Sequence, residues 1–226
     1  MQAGEGLTIH SVEQFLTDAE IATLLQQVEA HRQAHPQRRF AAGENGSSVH
    51  HLGSLGLGGA EAARVFAPAG RIEMALAGGG LAEARDLLDH AFFRRIEDIR
   101  RALPSATWPR GWTYVEYGPG QSCTSHADGS FAGAQVGAAS VRLDDGTEGG
   151  EFYVETSGSD ELWKGDGELI LPSLYDNPWL RRIPKTQWLA QPGRGTALFW
   201  GAHLLHGARP VHQGVSKKII CWIEAG

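Results

Sequence analysis

The run Tyr117-Gly118-Pro119-Gly120, followed six residues on by His126-Ala127-Asp128, decides how this chain is read. Gly-Pro-Gly after an apolar stretch marks a turn at the end of a strand. On extended chain the side chains alternate with period two, so His126 and Asp128 share one face. An imidazole and a carboxylate side by side are two-thirds of the two-His-one-carboxylate triad that holds non-haem Fe(II). Taken alone, such a pair also reads as a polar turn. The third ligand has to come from elsewhere, and His206 is the natural candidate. It follows the strand-like Thr196-Ala197-Leu198-Phe199-Trp200 and precedes Pro210-Val211 and a final apolar stretch.

Working outward, short apolar stretches recur at 112–117, 136–143, 151–155, 167–171, 187–190, 196–200 and 217–223. Turn signals such as Asp145-Gly146, Gly149-Gly150, Asp166-Gly167 and Pro192-Gly193 separate them. Upstream lie two helical tracts. Thr17 and Glu20 form a capping-box pair ahead of Ile21, Leu24, Leu25 and Val28, which predicts an amphipathic helix over 18–33. A second tract runs from about Leu81 to Leu103, with Leu87, Leu88, Ala91, Phe92, Ile96 and Ile99 on one face. Between them, residues 36–60 are rich in Gly, Ser and Asn and read as loop or weak strand. The expectation is a mainly β protein with N-terminal helices: a sandwich or barrel buttressed by a helical layer. It is taken as a single domain over 1–226, with 1–108 mostly helical support and loops and 109–226 the β core.

The composition of the 226 residues narrows the function. Twenty Lys and Arg against 26 Asp and Glu leave a formal net charge of −6, which argues against a partner tracked through its phosphates, so no nucleic acid is expected. No run approaches the roughly 18 apolar residues of a membrane span, and MQAGEGLTIHSVEQ has neither a basic region nor an apolar stretch. No membrane partner and no signal peptide are expected. Two cysteines, Cys123 and Cys221, make no disulfide framework, so a cytoplasmic setting is expected.

Four motifs in order carry a family resemblance: Tyr117 to Asp128; Glu148-Gly149-Gly150-Glu151-Phe152; Pro192-Gly193-Arg194-Gly195-Thr196-Ala197-Leu198-Phe199; and His206-Gly207-Ala208-Arg209-Pro210-Val211. Over about residues 110–224 the chain resembles the Fe(II)/2-oxoglutarate-dependent dioxygenases, and within them the prolyl-4-hydroxylase-like branch. The resemblance implies a double-stranded β-helix (jelly-roll) core with Fe(II) on His126, Asp128 and His206. It implies 2-oxoglutarate and O2 as co-substrates, with release of succinate and CO2 as an unactivated C–H bond of a small-molecule or peptidyl substrate is oxidised. No catalytic residue beyond the metal centre is expected. The family's spacing to the Pro-Val pair selects His206 over His203, and the carboxylate of Asp128 disfavours halogenation. The alternatives are a cupin-like metal-binding or isomerase protein, or a non-catalytic member of the fold.

The same resemblance places a basic residue about ten positions after the distal histidine, to pair with the far carboxylate of 2-oxoglutarate. Here that count lands on Ser216, with Lys217 adjacent. Lys217 serves as the anchor if the strand slips by one residue; otherwise alternation turns it away, because Ser216, Lys218, Ile220 and Trp222 share the other face. Arg142, seven residues before Gly149, is the preferred anchor, since the hypoxia-sensing prolyl hydroxylases carry a co-substrate tyrosine there. Tyr117 resembles the tyrosine at the other end of the co-substrate. Trp222 and Trp200 are the candidate substrate-lining aromatics; Trp188 and Trp179 read as core. The long segment 156–187 reads as a cover for the mouth, with Arg181-Arg182 in it as a solvated charge pair, and the His50-His51 pair in its polar loop as solvent-facing.

Overall fold

The computed structural model describes residues 4–34, 71–77, 79–128, 134–157 and 185–226. The expected strand at 167–171, the expected cover, Trp179, Arg181, Arg182, His50 and His51 lie outside the described residues. Twelve strands are described: β1 (Ile9–Val12), β2 (Ile72–Ala75), β3 (Ala106–Tyr117), β4 (Cys123–His126), β5 (Gln135–Arg142), β6 (Glu148–Gly149), β7 (Phe152–Ser157), β8 (Lys185–Ala190), β9 (Ala197–Gly201), β10 (His206–Ala208), β11 (Val211–Gln213) and β12 (Ser216–Ala225). The helices are α1 (Asp18–Ala34), α2 (Ala82–Arg94) and the single turn α3 (Ile96–Ile99).

A six-stranded sheet in the order β1-β9-β5-β12-β3-β2 faces a four-stranded one in the order β4-β10-β7-β8, and β6 pairs with β11. The described strand pairings are antiparallel, as a jelly roll requires. Two edge strands of the large sheet, β1 and β2, come from the first 108 residues, so that stretch supplies strands as well as helical support.

Each long strand of the large sheet divides its side chains by parity. Tyr114, Ala139, Val141, Phe199, Ile219 and Ile223 are buried in the core under the helices, while Val115, Ala138, Leu198, Trp200 and Trp222 pack in separate clusters between the sheets. From α1 come Ile21, Leu24 and Val28, and from α2 Leu88, Ala91 and Phe92. Phe199 meets Phe15 at 5.7 Å and Phe92 at 6.3 Å between ring centroids, fastening the helical layer to β9.

The start of α1 is a reciprocal cap. Glu20 accepts the Thr17 backbone N–H at 2.7 Å, and the Thr17 hydroxyl accepts the Glu20 N–H at 3.2 Å. The second tract is not one helix from 81 to 103. It breaks at Arg95, where φ is −114° and ψ 16°. The Arg95 guanidinium donates to the carbonyls of Glu13 and Gln14 and to Asp98. That cross-link to the β1–α1 connection redirects the chain, and Ile99 and Leu103 still end fully buried.

Candidate metal centre and co-substrate cavity

Strands β4 and β10 are antiparallel neighbours whose register shifts between His206 and Ala208, with His126 directly opposite His206 and ring centroids 4.4 Å apart. Asp128 lies two residues beyond His126, just past the end of β4, and its side chain is 5% exposed. Its carboxylate faces both imidazoles: Oδ1 is 3.7 Å from His126 Nε2, and Oδ2 is 3.4 Å from His206 Nε2. One ligand atom from each of the three residues lies within 4.8 Å of the others. His203, the competing histidine, is exposed and sits over Gly6, on the outside of the turn that precedes β10.

Whether these residues suit a divalent metal is tested by the protons. His206 Nδ1 sits 2.9 Å from the Leu204 carbonyl, which only accepts, so Nδ1 carries the proton and Nε2 presents a lone pair. Burial, reinforced by His126, holds the imidazole neutral by lowering its pKa to about 4, although Asp128 pulls the other way. A neutral nitrogen lone pair and a carboxylate oxygen therefore face each other 3.4 Å apart in a buried space. Two acceptors so placed fit a cation. Two imidazoles and one carboxylate are also the donor set suited to Fe(II) with open positions.

The cluster opens into a cavity of about 70 Å³ between the sheets, walled largely by apolar side chains including Phe152, Trp200, Ile220 and Trp222. Tyr117 and Lys218 also line it. A more polar chamber of about 100 Å³ adjoins it, and the two share Ser140, Phe152 and Lys218. Lys218 is buried, donates to the Gly150 carbonyl at 2.9 Å, and lies 5.7 Å from the centre of the Tyr117 ring. Burial lowers its pKa to about 8, while Asp144 and Cys123 act in the opposite sense.

The predicted co-substrate residues are thus sorted. Tyr117 reaches the cavity, and so do Trp200 and Trp222. Arg142 does not line the cavity that holds the triad; it lines the adjoining chamber. Its carboxylate partner is Asp144, at 3.4 Å, and it also donates to the carbonyls of Asp144 and Pro192. Ser216 is buried beside Gly150 in that chamber. Lys217 has its backbone N–H on Asp144 at 2.7 Å and lines neither space, as alternation requires.

The cation that sequence counting missed is Lys218, twelve residues after His206 rather than ten. The connection there contains β11 and a turn at Gly214 with φ +84°, which lengthens the path without changing which face each β12 residue takes. Alternation carried the signal. Arg71 and Glu73 were also missed: they form a 2.7 Å ion pair, 9% and 7% exposed, in the cavity wall. Nothing in their sequence spacing marked them. Trp200 does more than line the cavity, because its indole N–H donates to Asp128 Oδ2 at 2.9 Å.

No family model matches the sequence, and no curated protein does. Solved structures do match. A Pseudomonas putida prolyl-4-hydroxylase superimposes with a TM-score of 0.61 at 14% identity, covering 99% of this chain and 95% of that one. A Trichoplax adhaerens prolyl hydroxylase, solved with a hypoxia inducible factor oxygen degradation domain peptide fragment, gives 0.62 at 14%, covering 98% and 84%. SnoK, a non-heme alpha ketoglutarate dependent carbocyclase from nogalamycin biosynthesis, gives 0.62 at 15%, covering 97% and 80%. The jelly-roll fold of this chain is the one these 2-oxoglutarate oxygenases share. Among the described residues no helix is long and apolar enough to cross a membrane.

Proposed function

We propose that the protein is an Fe(II)/2-oxoglutarate-dependent oxygenase that hydroxylates an unactivated C–H bond of a small-molecule, amino-acid or peptidyl substrate. The observation that carries this reading is the meeting of His126, Asp128 and His206 in a buried cavity that also holds Lys218. His126, His206 and Asp128 would hold Fe(II), which when bound supplies the redox chemistry that couples 2-oxoglutarate decarboxylation to C–H oxidation.

The chain's own residues do the rest. The Leu204 carbonyl keeps His206 in the tautomer whose Nε2 can ligate. Lys218 pairs with the distal carboxylate of 2-oxoglutarate, in place of Arg142, whose guanidinium is held by Asp144 and Pro192. Tyr117 packs beside that ammonium and shapes the co-substrate's bed. The apolar wall of Phe152, Ile220 and Trp222 excludes water from the reacting C–H bond.

The presence of a buried cation facing the cavity removes the motive for a non-catalytic reading, which rested on Ser216 standing at the counted position. The test is an anaerobic titration of the Fe(II) protein with 2-oxoglutarate. A visible charge-transfer band that appears with both components supports the oxygenase reading; its absence overturns it in favour of a cupin-like role. Outcome with the prime substrate is then read by mass, a gain of one oxygen marking hydroxylation.

A further inference from the structure

Trp200 lines the cavity, and its ring is buried. It lies 4.8 Å from the Phe152 ring and 4.7 Å from His206, with 4% of its surface exposed. Packing does not explain the direction of its indole N–H, which is aimed 2.9 Å from Oδ2 of Asp128. A buried indole N–H needs an acceptor, and many acceptors would serve; this one is the carboxylate of the candidate triad. Among the described residues Asp128 Oδ1 accepts no hydrogen bond, so the two oxygens of one carboxylate are in different situations.

That asymmetry has a consequence for coordination. A carboxylate free to turn donates either one oxygen or both to a metal ion. In a six-position site with two imidazoles, donation of both oxygens fills a position that the co-substrates need. A charge-assisted N–H bond fixed by a rigid, buried ring opposes that turn, because Oδ2 cannot move fully onto the metal without losing its donor.

We propose that Trp200 is a positioning residue: its N–H ties down Oδ2 of Asp128, confines the carboxylate to one donated oxygen, and so keeps a coordination position open beside the co-substrate. The inference rests on the oxygenase reading and deepens it. It assigns Trp200 a role toward the metal centre in addition to lining the cavity.

The experiment compares the wild-type protein with Trp200→Phe, which keeps an aromatic ring against Phe152 and His206 but has no N–H. Each is loaded anaerobically with Fe(II) and 2-oxoglutarate and titrated with nitric oxide, a dioxygen surrogate whose adduct is read by electron paramagnetic resonance. The expected result is an Fe(II) affinity within about threefold of wild type and a nitric oxide affinity lowered roughly tenfold or more, the scale on which partners behind a ligand act. Should Trp200→Phe fail to fold, replacing the indole by benzothiophene at position 200 fills the same volume without the N–H, and the same pair of affinities decides. Unchanged nitric oxide affinity overturns the proposal. So does a loss of iron with normal nitric oxide binding to the iron that remains, which would make Trp200 a support for ligation alone. A wild-type protein with no 2-oxoglutarate-dependent charge-transfer band overturns the oxygenase reading itself, an outcome visible before any variant is made.

Discussion

Lys218 is a lysine in a largely apolar wall, and under the oxygenase reading its burial sets the behaviour of the proposed co-substrate subsite. With its pKa lowered to about 8, the ammonium is charged at neutral pH and loses its proton as pH rises past that value. A carboxylate bound beside it needs the charged form. Affinity for 2-oxoglutarate should therefore be constant below about pH 7 and fall by up to roughly tenfold per pH unit above 8; calorimetric titrations at several pH values check the slope. In Lys218→Met that slope should vanish and the dissociation constant rise about a hundredfold or more, the scale of leaving a buried charge unpaired. Arg142→Ala and Lys217→Ala should change it by less than about threefold, since neither side chain reaches the triad's cavity. A silent Lys218→Met with a large loss in Arg142→Ala would restore Arg142 as the anchor. This residue also shows what was legible. Strand parity on β12 put Lys218 on the inner face with Ser216, Ile220 and Trp222, because parity is a steric property of extended chain. Counting from His206 lands on Ser216 and not on this buried cation, because connections change length freely while the strand they enter keeps its faces.

Elements were legible in proportion to how local their causes are. The α1 cap is written in two side chains, Thr17 and Glu20, and the structure returns it bond for bond. The break at Arg95 was not legible, because it depends on carbonyls of Glu13 and Gln14 some eighty residues away. Likewise β1 and β2 become strands by pairing with β9 and β3, a tertiary cause that four-residue stretches do not announce. Thr17→Ala should cost about 1 kcal/mol of stability through the lost cap, seen as a lower thermal midpoint with iron binding unchanged. The β4–β10 pairing is the element-scale device of the site. His126→Ala and His206→Ala should each abolish detectable Fe(II) binding, whereas His203→Ala, on the outer side of the turn, should retain it. Gly207→Ala probes the same pairing without touching a ligand: a Cβ there would sit 2.5 Å from both the Cys123 carbonyl and the Tyr153 hydroxyl. It should push β10 from its neighbours and weaken iron binding. Wild-type affinity in Gly207→Ala would show that the register of β10 is not what brings the ligands together.

At the scale of the molecule, the two sheets enclose a space whose charges are few. Arg71 and Glu73 neutralise each other within the cavity wall. Under the oxygenase reading, a divalent iron and the Lys218 ammonium offset the Asp128 carboxylate and the two carboxylates of 2-oxoglutarate, leaving the loaded centre without net charge. A neutral loaded centre in a low-dielectric cavity is assembled without a stranded ion, and it forms whether or not a prime substrate has arrived. The protein should therefore turn over 2-oxoglutarate slowly on its own in air, releasing succinate, with the rate set by Fe(II) loading. A chelator should stop that release, and added Fe(II) should restore it. Zn(II) should occupy the same two imidazoles and carboxylate but restore nothing, because it has no accessible redox step. Succinate measured by chromatography with Fe(II), with Zn(II) and after chelation distinguishes the cases. Conversion of 2-oxoglutarate that survives with Zn(II) would mean the cavity runs Lewis-acid chemistry on the same three ligands, and the substrate search would then turn to hydrolysis or isomerisation.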